Sequence, residues 1–183
     1  RTIPHFYLSY DIDMTTALKK LAELNRDKSD ADTITINDVL IKAVAMTLKN
    51  YPYLNAIYPE GGLLLKKEVN MGIVIGMPEG LIIPVLKSAD TLVLEDISRG
   101  VKKLREKAEA GKFSSDDLTD GTFTISNLGM LGVADFAAII YPPQTAILAI
   151  SAIKETPVWK DGAFIPARMM RVTLSMDHRV VDG

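Results

Sequence analysis

The residues with the most chemical promise lie at the end of the chain, in the stretch SMDHRVVDG, where Asp182 follows His178 by four positions. His178 is one of two histidines in 183 residues. An imidazole with an ordinary pKa of about 6.5 suits proton transfer near neutral pH, so a general base is the first chemistry on offer. A metal site is weaker. The spacing of four would align His178 and Asp182 on a helix, but the residues leading in are strand-like, no third ligand lies nearby, and His5 is far away in sequence. A hydrolase nucleophile would need G-x-S-x-G, which no serine here has. The glycines of GIVIGMPEG (Gly72, Gly76 and Gly80) miss the G-x-G-x-x-G spacing of a dinucleotide site and suit a crowded strand and its turn instead. On residue types alone, a satisfied surface or core histidine is a better account of His178 than a base.

These residues need elements to hold them. IPHFYLSYDID, residues 3–13, alternates as a strand does. Asp13 can cap a following helix with Leu18, Leu21, Ala22 and Leu24 on one face. Residues 28–32 are polar and read as loop. A second helix is expected over residues 37–50, with Val39, Leu40, Ala43, Val44, Thr47 and Leu48 as its buried stripe and Pro52 beyond its end. LNAIY and LLLKK, separated by PEGG, form a hairpin, and NMGIVIGM and GLIIPVL form another that turns at PEG. Residues 94–110 make an amphipathic helix with Gly111 as its stop. GTFTISN is strand-like, and TAILAISAI and ARMMRVTLSM are two strands flanking the turn signal KDG. Hairpins alternating with long helices imply an α/β layered sandwich. They set His178 at the exit of a strand, where a rigid sheet can aim it into a crevice.

Composition narrows the chemistry. The net charge of −2 implies no broad basic surface, so no nucleic-acid partner is expected. With no cysteine there is no disulfide scaffold or thiolate metal site, which is compatible with an intracellular home, and any thiol chemistry must use a thiol of the substrate. The most apolar stretch, FAAIIYPPQTAILAISAI, is broken by Pro142, Pro143 and Gln144 and reads as core segments, so no membrane partner is expected. One domain over residues 1–183 is expected, and a start on Arg1 makes it read as a piece of a longer protein.

The motifs resemble those of a known family. SMDHRVVDG matches the H-x-x-x-D-G signature of CoA-dependent acyltransferases, and its D-H-R-x-x-D-G form is similar to the catalytic core of the dihydrolipoyl acyltransferases of 2-oxo acid dehydrogenase complexes. IPHFYLSYDIDMT, VNMGIVIGMPEGLIIPVLKSAD, LTDGTFTISNLGMLG and YPPQTAILAISAI resemble four further landmarks of that family, in order, so the likeness covers essentially the whole chain.

The resemblance implies a chloramphenicol-acetyltransferase-like fold: an α/β two-layer sandwich with a mixed sheet and packed helices. It implies transfer of an acyl group, acetyl or branched-chain in preference to succinyl, between the dihydrolipoyl arm of a lipoyl domain and coenzyme A. Coenzyme A and the lipoyl group are then substrates, and no metal takes part. His178 is implied as general base and Ser126, the serine of the family's T-x-S-N motif, as donor to the oxyanion. Asp182 is an orienting and charge-pairing group with Arg179 as a candidate partner, and Asn127 is a candidate for substrate binding or for positioning the loop after Ser126. A homotrimer is implied, with the site shared between subunits, assembling into a cubic or dodecahedral core that works with a decarboxylating dehydrogenase and dihydrolipoamide dehydrogenase. The compartment is cytoplasmic, or the mitochondrial matrix in a eukaryote. On this resemblance residues 1–183 are expected to be the catalytic domain alone, without the family's lipoyl domain, peripheral-subunit-binding domain and C-terminal tail. A non-catalytic scaffold would have lost the histidine. A same-fold enzyme with another acceptor is the other alternative; in its condensation-domain form it would carry a second histidine where Asp177 stands.

Overall fold

The structure is a computed structural model that describes residues 3–78 and 80–182, so Gly183 of the terminal motif and Glu79 of the PEG turn lie outside the described residues. A six-stranded mixed sheet organises the chain. Its strands are β1 (His5–Asp13), β4 (Met71–Ile73), β7 (Val85–Leu86), β8 (Phe123–Asn127), β9 (Ala146–Lys160) and β10 (Ala163–Asp177), in the order β1-β10-β9-β8-β4-β7. β8 runs parallel to both β4 and β9; the other pairings are antiparallel. The two expected hairpins are present as β2 (Ala56–Ile57) with β3 (Leu64–Leu65), and β5 (Ile75–Met77) with β6 (Gly80–Ile82). Among the described residues the α-helices α1 (Thr15–Asn25), α2 (Ile36–Leu48) and α3 (Leu94–Glu109) complete an α/β fold. Among the described residues no helix is long and apolar enough to cross a membrane.

Alternation along the strands separates two faces. One face carries Met71, Ile73, Phe123, Ile125, Ala146, Ile150, Met170 and Met176, and packs on Ile41, Ala45 and Leu48 of α2 and Ile97, Val101 and Leu104 of α3. The expected stripe of α2 is turned from this arrangement. Asn37, Asp38, Ile41, Ala45 and Leu48 are buried, Leu40 and Val44 pack at the margin, and Ala43 and Thr47 are exposed. The cause is a polar first turn that points inward. Asp38 and Thr35 form a capping box, and Asn37 has a partner on the sheet, so apolarity alone misjudges the face. Helix α1 is peripheral: Ala17 and Leu18 pack on the core, while Ala22 and Leu24 are exposed. Its N-cap position is Met14, yet the Asp13 carboxylate accepts the Thr15 N–H at 2.9 Å and so satisfies one free amide.

The other face of the sheet is polar. Thr124, Ser126, Thr173, Ser175 and Asp177 are all buried there. The segment 132–145 covers much of it: Thr173 bonds Asp135, the Ser175 hydroxyl donates to Ala138 O, and the Thr124 hydroxyl donates to Gln144 Oε1. β9 and β10 then run on beyond their neighbours, since β8 ends opposite Ile150 and β1 opposite Met169. Pro157 and Pro166 face each other in this free ribbon, where no third strand needs the N–H that each lacks.

Crowding accounts for glycine at Gly72 but not at Gly76. A Cβ on Gly72 would lie 2.6 Å from Thr124 Oγ1 and 3.0 Å from Ile83 Cγ2, whereas one on Gly76 would meet nothing within 4 Å. Gly72→Ala is therefore expected to destabilise the fold by about 1–3 kcal/mol through overpacking. Gly76→Ala should stay within about 0.5 kcal/mol of wild type. Urea unfolding of the two variants separates these outcomes.

Candidate functional site

β10 delivers His178. Its last residue, Asp177, is paired with His5 of β1, and the chain then leaves the sheet in a tight turn. The amides of Val180 and Val181 both donate to Asp177 O at 2.9 Å, and the His178 N–H donates to Pro4 O at 2.9 Å. Val181 packs against the core, which fixes the far side of the turn. The imidazole lies with its centroid 5.0 Å from that of the Phe6 ring and is half exposed. Asp182 Oδ1 stands 3.5 Å from His178 Nδ1, within pairing distance but long for a hydrogen bond, and its side chain is 94% exposed.

Arg179 does not pair with Asp182. Its Nε and Nη2 donate to the two carboxylate oxygens of Asp177 at 2.9 and 2.6 Å, its backbone N–H donates to Asp177 Oδ1, and its guanidinium lies 4.7 Å from the centre of the Tyr58 ring. Asp177 is fully buried and Asp182 is open to water, so the fork goes to the carboxylate that most needs a partner. Burial pushes the Asp177 carboxyl up, but the side-chain and backbone bonds from Arg179 outweigh it and hold the group below the ordinary carboxylate value. Asp177 therefore locks the turn that carries His178. The sequence does not single it out as a site residue, because no local pattern marks this aspartate as the buried one of the two in the motif.

Ser126 and Asn127 end β8 on opposite faces. Ser126 is 8% exposed. Among the described residues its hydroxyl has no hydrogen-bond partner, and since no buried side-chain N or O atom lacks one, that oxygen keeps a contact with solvent. The Asn127 carboxamide is engaged at both ends. Its Oδ1 accepts the Gly129 N–H at 2.8 Å and its Nδ2 donates to Asn37 Oδ1 at 3.1 Å. Asn37 was also missed; the signal available was a polar residue among the inward positions of α2.

The chain brings His178 and Asp182 together, and Ser126 and Asn127 together, but it keeps the two pairs apart. Ser126 is level with Ala149, and Ala149 with Thr173, while His178 lies five residues beyond Thr173. At about 3.3 Å per residue and about 4.8 Å per strand, the separation is about 16 Å along the strands and about 10 Å across them. One carbonyl cannot touch both residues within a single subunit. Among the described residues no group of three or more His, Cys, Asp or Glu is placed to hold a metal ion.

The model of the 2-oxoacid dehydrogenases acyltransferase (catalytic domain) family matches residues 1–183. The chain belongs to that family. It is 39% identical over 186 residues to the mitochondrial dihydrolipoyllysine-residue acetyltransferase component of the pyruvate dehydrogenase complex of Dictyostelium discoideum, covering 100% of this chain and 29% of that protein. The chain spans less than half the length of this and the other most similar curated relatives. It superposes on a crystal structure of Azotobacter vinelandii dihydrolipoamide acetyltransferase with a TM-score of 0.95 and 33% identity, over 100% of this chain and 76% of that one. That structure belongs to an investigation of the role of a serine, a histidine and an asparagine in the catalytic mechanism; the serine precedes the histidine by 52 residues and the asparagine follows it by four. A chloramphenicol acetyltransferase matches with a TM-score of 0.64 and 12% identity over 99% of this chain and 82% of that one, which shows the shared fold. The acyltransferase fold expected from the motifs is therefore the one observed.

The Asp177–Arg179 pair gives this family member a signed pH test. The Asp177 pKa is lower folded than unfolded, so its contribution to stability is present above about pH 4, the ordinary aspartate value, and is lost as pH falls through the lower folded value. In Arg179→Ala the guanidinium bonds are lost while burial still acts against the remaining backbone N–H of residue 179, so the Asp177 carboxyl rises from its wild-type value. The stability deficit of the variant against wild type should be largest at neutral pH and shrink in acid. Urea midpoints of both proteins at pH 7 and pH 3.5 measure it, and a deficit that grows in acid would contradict the pairing.

Proposed function

We propose that this domain transfers an acetyl group between the dihydrolipoyl arm of a lipoyl domain and coenzyme A. One observation carries the assignment: Ser126 precedes His178 by 52 residues and Asp182 follows it by four, the spacings of the serine, histidine and asparagine studied in the Azotobacter enzyme. The curated relatives compared above are acetyltransferase components, which favours acetyl over branched-chain or succinyl groups. The retained His178 weighs against a scaffold without activity.

The chemistry suits the residues. The attacking group is the CoA thiol, whose free pKa near 8.5 leaves a few per cent as thiolate at neutral pH. His178 takes the thiol proton on Nε2 as the sulfur attacks the thioester carbonyl of the acyl-dihydrolipoyl group, a contribution of about 10²–10⁴-fold. Asp182, on the Nδ1 side of the ring, favours the tautomer that leaves Nε2 free to accept. The Ser126 hydroxyl donates to the oxyanion of the tetrahedral intermediate, worth about 10²–10³-fold. The C–S bond to the dihydrolipoyl sulfur then breaks, and that sulfur recovers the proton from the imidazolium. No metal enters these steps.

Since His178 and Ser126 are too far apart within one chain, the working site takes His178 from one subunit and Ser126 from the next, in a cyclic trimer. Trimers of this kind assemble into the cubic or dodecahedral core of a 2-oxo acid dehydrogenase complex, served by its decarboxylating dehydrogenase and dihydrolipoamide dehydrogenase. Its compartment is the cytoplasm, or the mitochondrial matrix in a eukaryote.

His178→Ala is expected to lose at least about 10²-fold in turnover with the fold intact. Ser126→Ala is expected to lower kcat with little change in KM, because its bond forms mainly in the transition state. Refolding equal amounts of the two variants together should restore about a quarter of the sites, since each site draws one residue from each neighbour. Assay with acetyl-CoA and dihydrolipoamide, alongside branched-chain and succinyl thioesters, measures this. Mixed trimers that never exceed the mean of the two variants would refute the shared site, and a stable, active monomer in sedimentation would do the same.

A further inference from the structure

We propose that Asn37 is a positioning residue for Ser126: from the first turn of α2 it fixes the strand end and turn that carry the serine. The proposal rests on the acyl-transfer assignment above. Asn37 is 8% exposed, on the face of α2 that also buries Ile41, Ala45 and Leu48. A buried carboxamide lowers stability unless it is bonded, and an apolar residue would pack there at no such cost. Its Oδ1 accepts the 3.1 Å bond from Asn127 Nδ2, and Asn127 Oδ1 in turn accepts the Gly129 N–H at 2.8 Å. A continuous polar link therefore runs from the helix layer, through the end of β8, to the turn Gly129–Leu131.

The link cannot touch substrate from the serine's side. Asn127 leaves β8 on the face of Phe123 and Ile125, where the helices pack, and Ser126 leaves it on the other. Asn37 thus acts from behind, through the backbone of residues 126–129. That backbone has little freedom to absorb a change. A Cβ on Gly129 would lie 3.0 Å from Asn127 Oδ1 and 3.0 Å from Ser151 O, and the Leu128 N–H is bonded to Ile150 O at 3.0 Å. At its other end the link starts from a fixed point, since α2 is held by the Thr35–Asp38 capping box and by its buried residues. Losing the Asn37 acceptor leaves the Asn127 Nδ2 without this partner and lets the carboxamide rotate, which frees the Gly129 amide and the serine's end of the strand.

The test uses the full-length protein with acetyl-CoA and dihydrolipoamide as probes. Asn37→Leu should lower kcat between tenfold and a hundredfold, roughly what a misplacement of about 1 Å costs, with KM near wild type. Asn37→Asp keeps an acceptor for Asn127 at a helix N-terminus that favours a carboxylate, and should retain most of kcat. In a Ser126→Ala background, Asn37→Leu should cost nothing further, because the group it positions is gone. Amide exchange at Gly129 should be faster in Asn37→Leu and unchanged in Asn37→Asp. If Asn37→Leu fails to fold, Asn37→Ser, polar but too short to reach Asn127, replaces it with the same expectations. An unchanged kcat in a folded variant, an equal loss in both backgrounds, or an unchanged Gly129 exchange rate overturns the positioning role while leaving the acyl-transfer assignment intact. A wild-type protein that transfers no acyl group overturns that assignment, and the role of Asn37 falls with it.

Discussion

Ser126 and His178 leave the sheet at opposite ends because β8 runs parallel to β9 while β10 runs antiparallel to it. Pairing direction is the constraint on which the rest depends. Hydrogen-bond ladders fix register, and a slip of one residue would turn Phe123 and Ile125 away from the helices and drive Thr124 and Ser126 into the apolar core. Each candidate side chain is thus held along the strands by a register that the core enforces. What the ladder does not fix is the final residue or two, where pairing stops. There the chain needs other anchors.

Both anchors are polar and largely buried. At the histidine end, Asp177 gathers the Arg179 guanidinium and backbone N–H, with Pro4 O holding the His178 amide. At the serine end, Asn37 and Asn127 hold the Gly129 turn. The start of β8 is fastened in the same manner. The Thr122 hydroxyl donates to Asn55 Oδ1 at 2.6 Å and accepts the Asn70 amide at 3.0 Å, while Asn55 Nδ2 donates to the carbonyls of Lys66 and Glu68. Apolar contacts tolerate sliding and rotation. A satisfied buried hydrogen bond has a direction and is costly to break, so it suits a place where tenths of an ångström matter.

The same division explains what could be read in the sequence. Strand alternation and turn residues exposed β8, the cores of β9 and β10, both hairpins and the length of α3, because those signals are local and repeat. The ends of β9 and β10 were underestimated, since Pro157 and Pro166 argue against strand until one sees that no third strand lies beside them. The face of α2 was misjudged because Asn37 and Asp38 point inward for partners distant in sequence or specific to a cap. Arg179 was matched to Asp182 because spacing cannot tell a buried carboxylate from an exposed one. The motif residues themselves were legible through their likeness to a family. Their separation across the sheet was not, since it follows from strand order, which no local pattern encodes.

The two carboxylates of the terminal motif therefore have separate physical roles. Asp177 is sealed from water and committed to Arg179, so none of its oxygens is free for the imidazole. Asp182 faces His178 Nδ1 at 3.5 Å but stands in solvent, where water and salt screen its influence on the ring. A neighbouring subunit that brings Ser126 up to His178 would exclude water from the same space. The imidazole–carboxylate contact gains strength as the local dielectric falls. On the proposed shared site, assembly would do two things at once: supply the oxyanion donor that one chain cannot bring to its own histidine, and strengthen the hold of Asp182 on the proposed base.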